Sequence, residues 1–414
     1  MNRYEYAKEL YAEIGVDTDH ALEALAKIPI SMHCWQGDDI NGFEEMGGAS
    51  GGIAATGNFP GKARNPEELM RDIKTAFSVI PGKHRLNLHA MYAIGEPGEK
   101  VQRNLVEPRH FKPWVEFARE QGIGLDFNSS YFSHPMAADN LTLSHPDPAV
   151  REFWVEHGLA CRKIADYMGA ELGTPCLHDV WVPDGYKDLP ADRMGPRMRL
   201  KESLDKMFSV KYDHVQDCVE AKLFGIGVEA FTVGSHEFYM NYVAHRPDVI
   251  YLLDSGHFHP TERISDKLSA ILLFEDKVAL HVTRGIRWDS DHVVLLEEEP
   301  IEIAREIVRC DALDRVVIGL DFFDASINRI AAWAVGMRNM QKALLSALLM
   351  PHAALKRMQD EGRFTEQMAM QEELKTYPLG DVWDHFCETQ GVPVRGAWLD
   401  VVEKYSAKEF PQRA

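Results

Sequence analysis

Between Asp254 and Asp291 the chain spaces five side chains suited to holding a divalent cation. Asp254 and His257 lie in LLDSGHFHPTE, and His281, Asp289 and Asp291 in LHVTRGIRWDSDHVVLL. Asp254 and His281 each close an apolar run, and the other three fall in the segments that follow. Mixed carboxylate and imidazole donors suit Mn²⁺, Mg²⁺, Co²⁺ or Zn²⁺ and differ from the thiolate sets of a zinc ribbon. Taken singly, each residue has an ordinary explanation. A histidine ending a strand is usually a hydrogen-bonded core residue, and an aspartate there is usually a cap or turn former. Their concentration is what calls for a cation, because carboxylates crowded together away from water repel.

Groups this far apart meet only if strands carry them to a common rim. Apolar, β-rich runs predict eight strands, at 28–35, 85–90, 123–128, 176–181, 218–224, 249–254, 278–283 and 315–321. Helical patterns fall between them, at 66–79, 108–121, 148–169, 199–215, 235–245, 264–273 and 299–311. The alternation predicts an α/β protein built as a closed parallel (β/α)₈ barrel (a TIM barrel) rather than an open doubly wound sheet. Active sites of such barrels sit at the C-terminal ends of the strands. Those ends carry Trp35, His89, Asp126 with Asn128, Trp181, Glu220 with Lys222, Asp254, His281 and Asp321. Glu220, Asp254, His281 and Asp321 then come from neighbouring strands and converge on one cation. His257, Asp289 and Asp291 come from the loops above and converge on a second, with Asp254 a candidate bridge. Lys222 shares a face with Glu220 by the period of two along a strand, so it either holds a substrate oxygen or pairs with Glu220. Trp35 and Trp181 either wall the cavity, shielding a transferring hydride from water, or belong to ordinary core.

Composition narrows the function classes. In 414 residues, 45% are hydrophobic, enough for a large core, and the formal charge of −19 opposes a nucleic-acid partner. The six cysteines show no C-x-x-C spacing, as expected for reduced thiols in a cytoplasmic protein. The opening MNRYEYAKELYAEIGVD reads as a charged amphipathic helix rather than a signal peptide, and no apolar run approaches the roughly 20 residues of a membrane span. Three parts are expected: an N-terminal helical segment at 1–27, the catalytic barrel at 28–349, and a helical extension at 350–414 that packs on the barrel or on a neighbouring subunit. The glycine-rich stretch 47–62 is a candidate active-site loop closing its own or a neighbour's site, but lacks the spacing of a phosphate loop. Gly225-x-Gly227-x-x-Ala230 resembles a dinucleotide fingerprint but opens no clear helix, so nucleotide binding is not expected.

Long segments carry a further signal. SMHCWQGDD, GGIAATGNFPGKARN, LNLHAMY, GLDFN, TLSH, KLFGIG, SGHFHPTE, RWDSDHVVLL and GLDFFDASINRIAAW resemble the L-rhamnose isomerase family, within the xylose-isomerase-like barrel superfamily. The resemblance implies a cytoplasmic homotetramer with two divalent cations per subunit, most often Mn²⁺, that interconverts L-rhamnose and L-rhamnulose in L-rhamnose catabolism. It implies Glu220, Asp254, His281 and Asp321 as ligands of a structural metal, His257, Asp289 and Asp291 as ligands of a catalytic metal, and Lys222 in a Glu-x-Lys pattern. Constellation and resemblance together imply a 1,2-hydride shift on the open-chain sugar. Its rival is an enediol route, in which a side-chain base removes the C2 proton. His89 is a candidate for ring opening or for holding a sugar oxygen. Three other readings stand beside this one: an isomerase of another aldose, a metal-dependent barrel phosphodiesterase, and a scaffold whose metals serve stability alone.

Overall fold

The computed structural model describes residues 2–44 and 53–413. Gly47 to Gly52 of the glycine-rich stretch therefore lie outside the described residues. Eight strands close a parallel barrel: β1 (Pro29–His33), β2 (Lys83–His89), β3 (Gly124–Asn128), β4 (Cys176–Val180), β5 (Val215–Glu220), β6 (Val249–Asp254), β7 (Val278–Val282) and β8 (Val316–Leu320). Each pairs with its sequence neighbours, and β8 closes on β1 with Ser31 opposite Gly319. Every expected strand is present.

Side-chain alternation divides the barrel's residues between two cores. Leu177, Cys218, Ile250, Leu252 and Ala279 form a small apolar cluster of their own. The residues alternating with them, such as Val219, Tyr251, Leu253 and Leu280, join the large core that includes the surrounding helices. Helix starts follow local chemistry: Asn65, Asp147 and Asn328 accept backbone N–H bonds at the heads of Pro66–Phe77, Pro148–Leu172 and Arg329–Leu348.

Many element ends shift by a residue or more from expectation, and three departures stand out. β5 begins at Val215 and ends at Glu220, earlier than 218–224, because buried Asp217 is neutralised by Arg162 at 2.8 Å and its polar start is thereby accommodated. Residues after Glu220 leave the barrel to form a short antiparallel ribbon, Tyr186 opposite Phe231. The helix expected at 199–215 runs from Met194 to Met207.

The chain opens with helices Arg3–Glu13 and Thr18–Leu25 and closes with His352–Asp360, Phe364–Leu374, Leu379–Thr389 and Ala397–Glu409. Part of this extension packs on its own chain: Tyr4 stacks on His385, and Arg413 pairs with Asp72 at 2.6 Å. The cysteines are free, and all except Cys310 are buried. No described helix is long and apolar enough to cross a membrane.

Candidate metal centre and active site

The rim of β5 to β8 brings the expected residues together. Register sets Asp254 directly beside His281, and Glu220 stands one strand away at the end of β5. Glu220 reaches two imidazoles at once, with Oε1 2.9 Å from His257 Nδ1 and Oε2 3.1 Å from His281 Nδ1. Asp321 follows β8 and lies 3.6 Å from His281 Nδ1. Gly319 leaves the space that the His281 ring fills, since a Cβ there would stand 3.1 Å from His281 Cδ2. The side-chain atoms of Glu220, Asp254 and His257 form one cluster of ligand geometry, those of Asp179, Glu220 and His281 a second, and those of His33, His281 and Asp321 a third.

The loop residues close over this layer. His257 Nδ1 lies 2.8 Å from the Ala221 carbonyl, which only accepts, so Nδ1 carries the hydrogen and Nε2 is left as a donor atom for a cation. Nε2 faces Lys222 Nζ at 3.1 Å and Asp289 Oδ2 at 3.5 Å. Lys222 pairs with Asp289, not with Glu220, and its ammonium stands 5.4 Å from the centre of the Trp181 ring. Asp291 holds a left-handed backbone (φ 42°) in the turn that brings its side chain back to the cavity, and Phe323 N donates to its carbonyl. A non-glycine residue in that region costs of order 1 kcal/mol or more, which the surrounding contacts must offset.

A cavity opens above these groups. Trp35, His89, Trp181, Glu220, Lys222, His257, Asp291 and Asp321 all face it. Trp35 stacks on His89 with ring centres 4.1 Å apart and meets Phe323 edge-on, while Phe132 abuts Trp181. The two tryptophans therefore wall the cavity and are not remote core. His89 Nε2 has no hydrogen-bond partner.

Sequence reasoning missed two buried residues of the rim. His33 donates from Nδ1 to the Leu320 carbonyl at 2.8 Å and turns Nε2 toward Asp321 at 3.9 Å. Asp179 accepts from Asn128 and faces Glu220. Both could have been found by the period of two, since His33 precedes Trp35 by two and Asp179 precedes Trp181 by two. Another arrangement has hydrolase side-chain types but no access: Asp217, His178 and Ser129 are linked by hydrogen bonds of 2.8 and 2.7 Å. That chain points out of the barrel, where Arg162 of helix Pro148–Leu172 caps it, so it fastens helix to sheet.

The electrostatics are those of a crowded acidic cluster. Burial, reinforced by the Glu220 charge, pushes the Asp254 and Asp179 carboxyls well above the ordinary range. Burial and the Asp289 charge do the same to Asp291, and burial raises Asp321 to about 7. Burial also opposes ionisation of Glu220, yet the His281 and His257 rings hold it well below its usual value. His281 is raised to about 9: burial works against its charge, but Glu220 outweighs burial. Asp254 Oδ2, Asp289 Oδ1, Asp291 Oδ1, Asp321 Oδ1 and His281 Nε2 lack hydrogen-bond partners. Unpaired carboxylate oxygens and imidazole nitrogens converging from several strands are the donor set a hard or borderline divalent cation takes, so the residues fit such an ion.

A closed parallel barrel with this cluster and a lysine at its C-terminal rim defines a (β/α)₈ protein with a candidate metal centre where such barrels carry their active sites. A model of the L-rhamnose isomerase (RhaA) family matches residues 1–413. L-rhamnose isomerase of Listeria monocytogenes serotype 4b (strain F2365) is 59% identical over 406 residues, spanning 97% of this chain and 96% of the relative. The enzyme of Rhodopirellula baltica is 55% identical over 414 residues, spanning 99% and 96%, and that of Enterobacter sp. (strain 638) is 54% identical over 413 residues, spanning 99% and 98%. The chain belongs to the L-rhamnose isomerase family.

Proposed function

We propose that the protein interconverts L-rhamnose and L-rhamnulose with the aid of two divalent cations, Mn²⁺ being the native one. The observation that carries this reading is the convergence of unpartnered carboxylate and imidazole atoms beside Lys222 in an aromatic-walled cavity. Glu220, Asp254, His281 and Asp321 hold one cation, and His257, Asp289 and Asp291 the other. When bound, such cations supply Lewis acidity to the carbonyl of an open-chain sugar and acidify water nearby.

The chain's own groups do the rest. Lys222, drawn by Asp289 to the cavity side, donates to a sugar oxygen and steadies the charge that builds there. His89 Nε2 accepts a sugar hydroxyl hydrogen during ring opening. Trp35, Trp181, Phe132 and Phe323 exclude water from the reacting carbons. In the hydride route the C2–H bond breaks as the C1–H bond forms, and a proton passes from O2 to O1, so aldose becomes ketose with no external oxidant.

The test is an isomerase assay on metal-stripped protein with Mn²⁺, Co²⁺, Mg²⁺ or Zn²⁺ restored, across L-rhamnose and related aldoses, in H₂O and D₂O. Mn²⁺ should restore the highest rate on L-rhamnose, with little solvent deuterium at the transferred position. Another aldose turned over faster would reassign the substrate, and heavy deuteration would replace the hydride route with the enediol one.

The proposal extends to a cytoplasmic homotetramer assembled through the extension 350–414. Helix Phe364–Leu374 buries none of its residues, and Phe364 and Met368 are more than 60% exposed. Its one half-buried face, Gln367, Met370, Gln371 and Leu374, leaves Phe364 and Met368 on the open side, and eleven residues so lightly packed make a marginal helix in water, which supports a subunit contact there.

A further inference from the structure

His257 is the loop-borne imidazole of the site, and its backbone is held from outside the cavity by a residue with no part in the chemistry so far. His236, at the head of the helix His236–Ala244, places Nε2 2.7 Å from the His257 carbonyl. Its Nδ1 lies 2.7 Å from the Tyr251 hydroxyl on the outer face of β6, and its ring stacks on Phe258 with centres 3.9 Å apart. A carbonyl only accepts, so Nε2 carries a hydrogen in either charge state of the ring. Tyr251 then completes the arrangement by engaging the other nitrogen.

We propose that His236 and Tyr251 are positioning residues that set the placement of His257 as a metal ligand. The geometry explains why a clamp is needed. Asp254 ends its strand, and His257 follows in a turn closed by its own N–H to the Asp254 carbonyl at 3.2 Å. The ring is fixed at Nδ1 by Ala221, but that bond alone leaves the backbone of the turn free to pivot about it. The bond from His236 ties the same residue at its carbonyl, and the stack on Phe258 ties the next one. Two anchors on opposite sides of the α-carbon aim Nε2 at Asp289. Partners of this kind typically change metal affinity 10- to 100-fold when removed.

This inference rests on the proposed role of His257, and the experiment separates the two. Mn²⁺ is titrated calorimetrically into metal-stripped wild type, H257A, H236F, H236Q and Y251F. H257A should lose the weaker of two binding steps; if both steps persist unchanged, the assignment of His257 fails, and the clamp with it. With that step lost, H236F, which keeps the stack on Phe258 but has no donor, should weaken the same step about 10-fold or more and leave the tighter one alone. H236Q, whose amide can donate to the carbonyl, should recover most of the affinity, and Y251F should lose a smaller part. Should H236F fail to fold, Y251F decides the matter: it should weaken that same step and not the tighter one, and wild-type binding in Y251F would overturn the proposal. Wild-type binding in H236F, or equal weakening of both steps, would overturn the proposal.

Discussion

Glu220 is the residue on which the site's electrostatics turn, because it ionises against burial by sitting between two imidazoles. The carboxyls around it cannot all follow, and a divalent cation supplies what the imidazoles cannot, charge without a proton. His257 is the clearest point of attack. Replacing His257 by alanine should abolish turnover while circular dichroism and the melting transition stay near wild type; near-normal activity with Mn²⁺ would contradict its role. The ligand types were legible in the sequence because Asp254, His281 and Asp321 each end an apolar run. His33 and Asp179 were not, because each lies two residues before a more conspicuous tryptophan, to which the expected strand was extended. Which acid Lys222 would choose was also illegible. Glu220 is its neighbour in sequence, but Asp289 returns from a distant loop to claim it.

At the scale of elements, helix Pro148–Leu172 shows how tightly the barrel's outer layer is fitted. Gly169 faces the His214 carbonyl so closely that a Cβ would fall well inside van der Waals contact, and that carbonyl is already engaged by Cys176 N at 2.9 Å. Alanine gains about 1 kcal/mol of helix propensity over glycine, but overpacking costs about 1–3 kcal/mol, and here the obstacle is backbone. Gly169→Ala should therefore lower the free energy of unfolding by roughly 1–2 kcal/mol in a denaturant titration; an unchanged or higher midpoint would refute the overpacking argument. All eight strands were readable because apolar runs ended in polar or aromatic residues. The start of β5 was not, since Asp217 reads as a strand breaker until Arg162, brought in by a helix far upstream, neutralises it. Nor was the ribbon joining Gly185–Tyr186 to Phe231–Thr232, which is too short to carry a periodic signal.

For the molecule as a whole, buried neutral histidines supply the part of the acid response that destabilises, against the raised site carboxyls and His281. Burial and the Arg103 guanidinium hold His157 down to about 3, and burial holds His84, stacked on Phe77, to about 4. In the unfolded chain both titrate near 6.5. Below that value the unfolded state takes up protons that these two native rings refuse, so their contribution to stability is complete above about pH 6.5 and declines as pH falls toward 3. Replacing His84 by glutamine should therefore make the denaturant midpoint at pH 5, relative to that at pH 7.5, higher than in the wild type, and an unchanged difference would contradict this account. Assembly is tested at the same scale: charging the exposed face with Phe364→Glu and Met368→Lys should shift sedimentation toward smaller species. A tetramer surviving both changes would place the contact elsewhere.

The seam between β1 and β8 has a consequence in time. Gln36 and Asp324 exchange two hydrogen bonds across 288 positions of chain, and Trp333 donates to the His33 carbonyl beneath them. Contacts so distant in sequence are slow to form, because loop-closure entropy must be overcome before they stabilise anything. Asp254 and His281 can meet as soon as β6 and β7 pair, but Asp321 acquires its neighbour His33 only when the ring shuts. The rim is thus completed last, and a chain halted before closure would carry most of its ligand side chains without the pocket they were meant to serve.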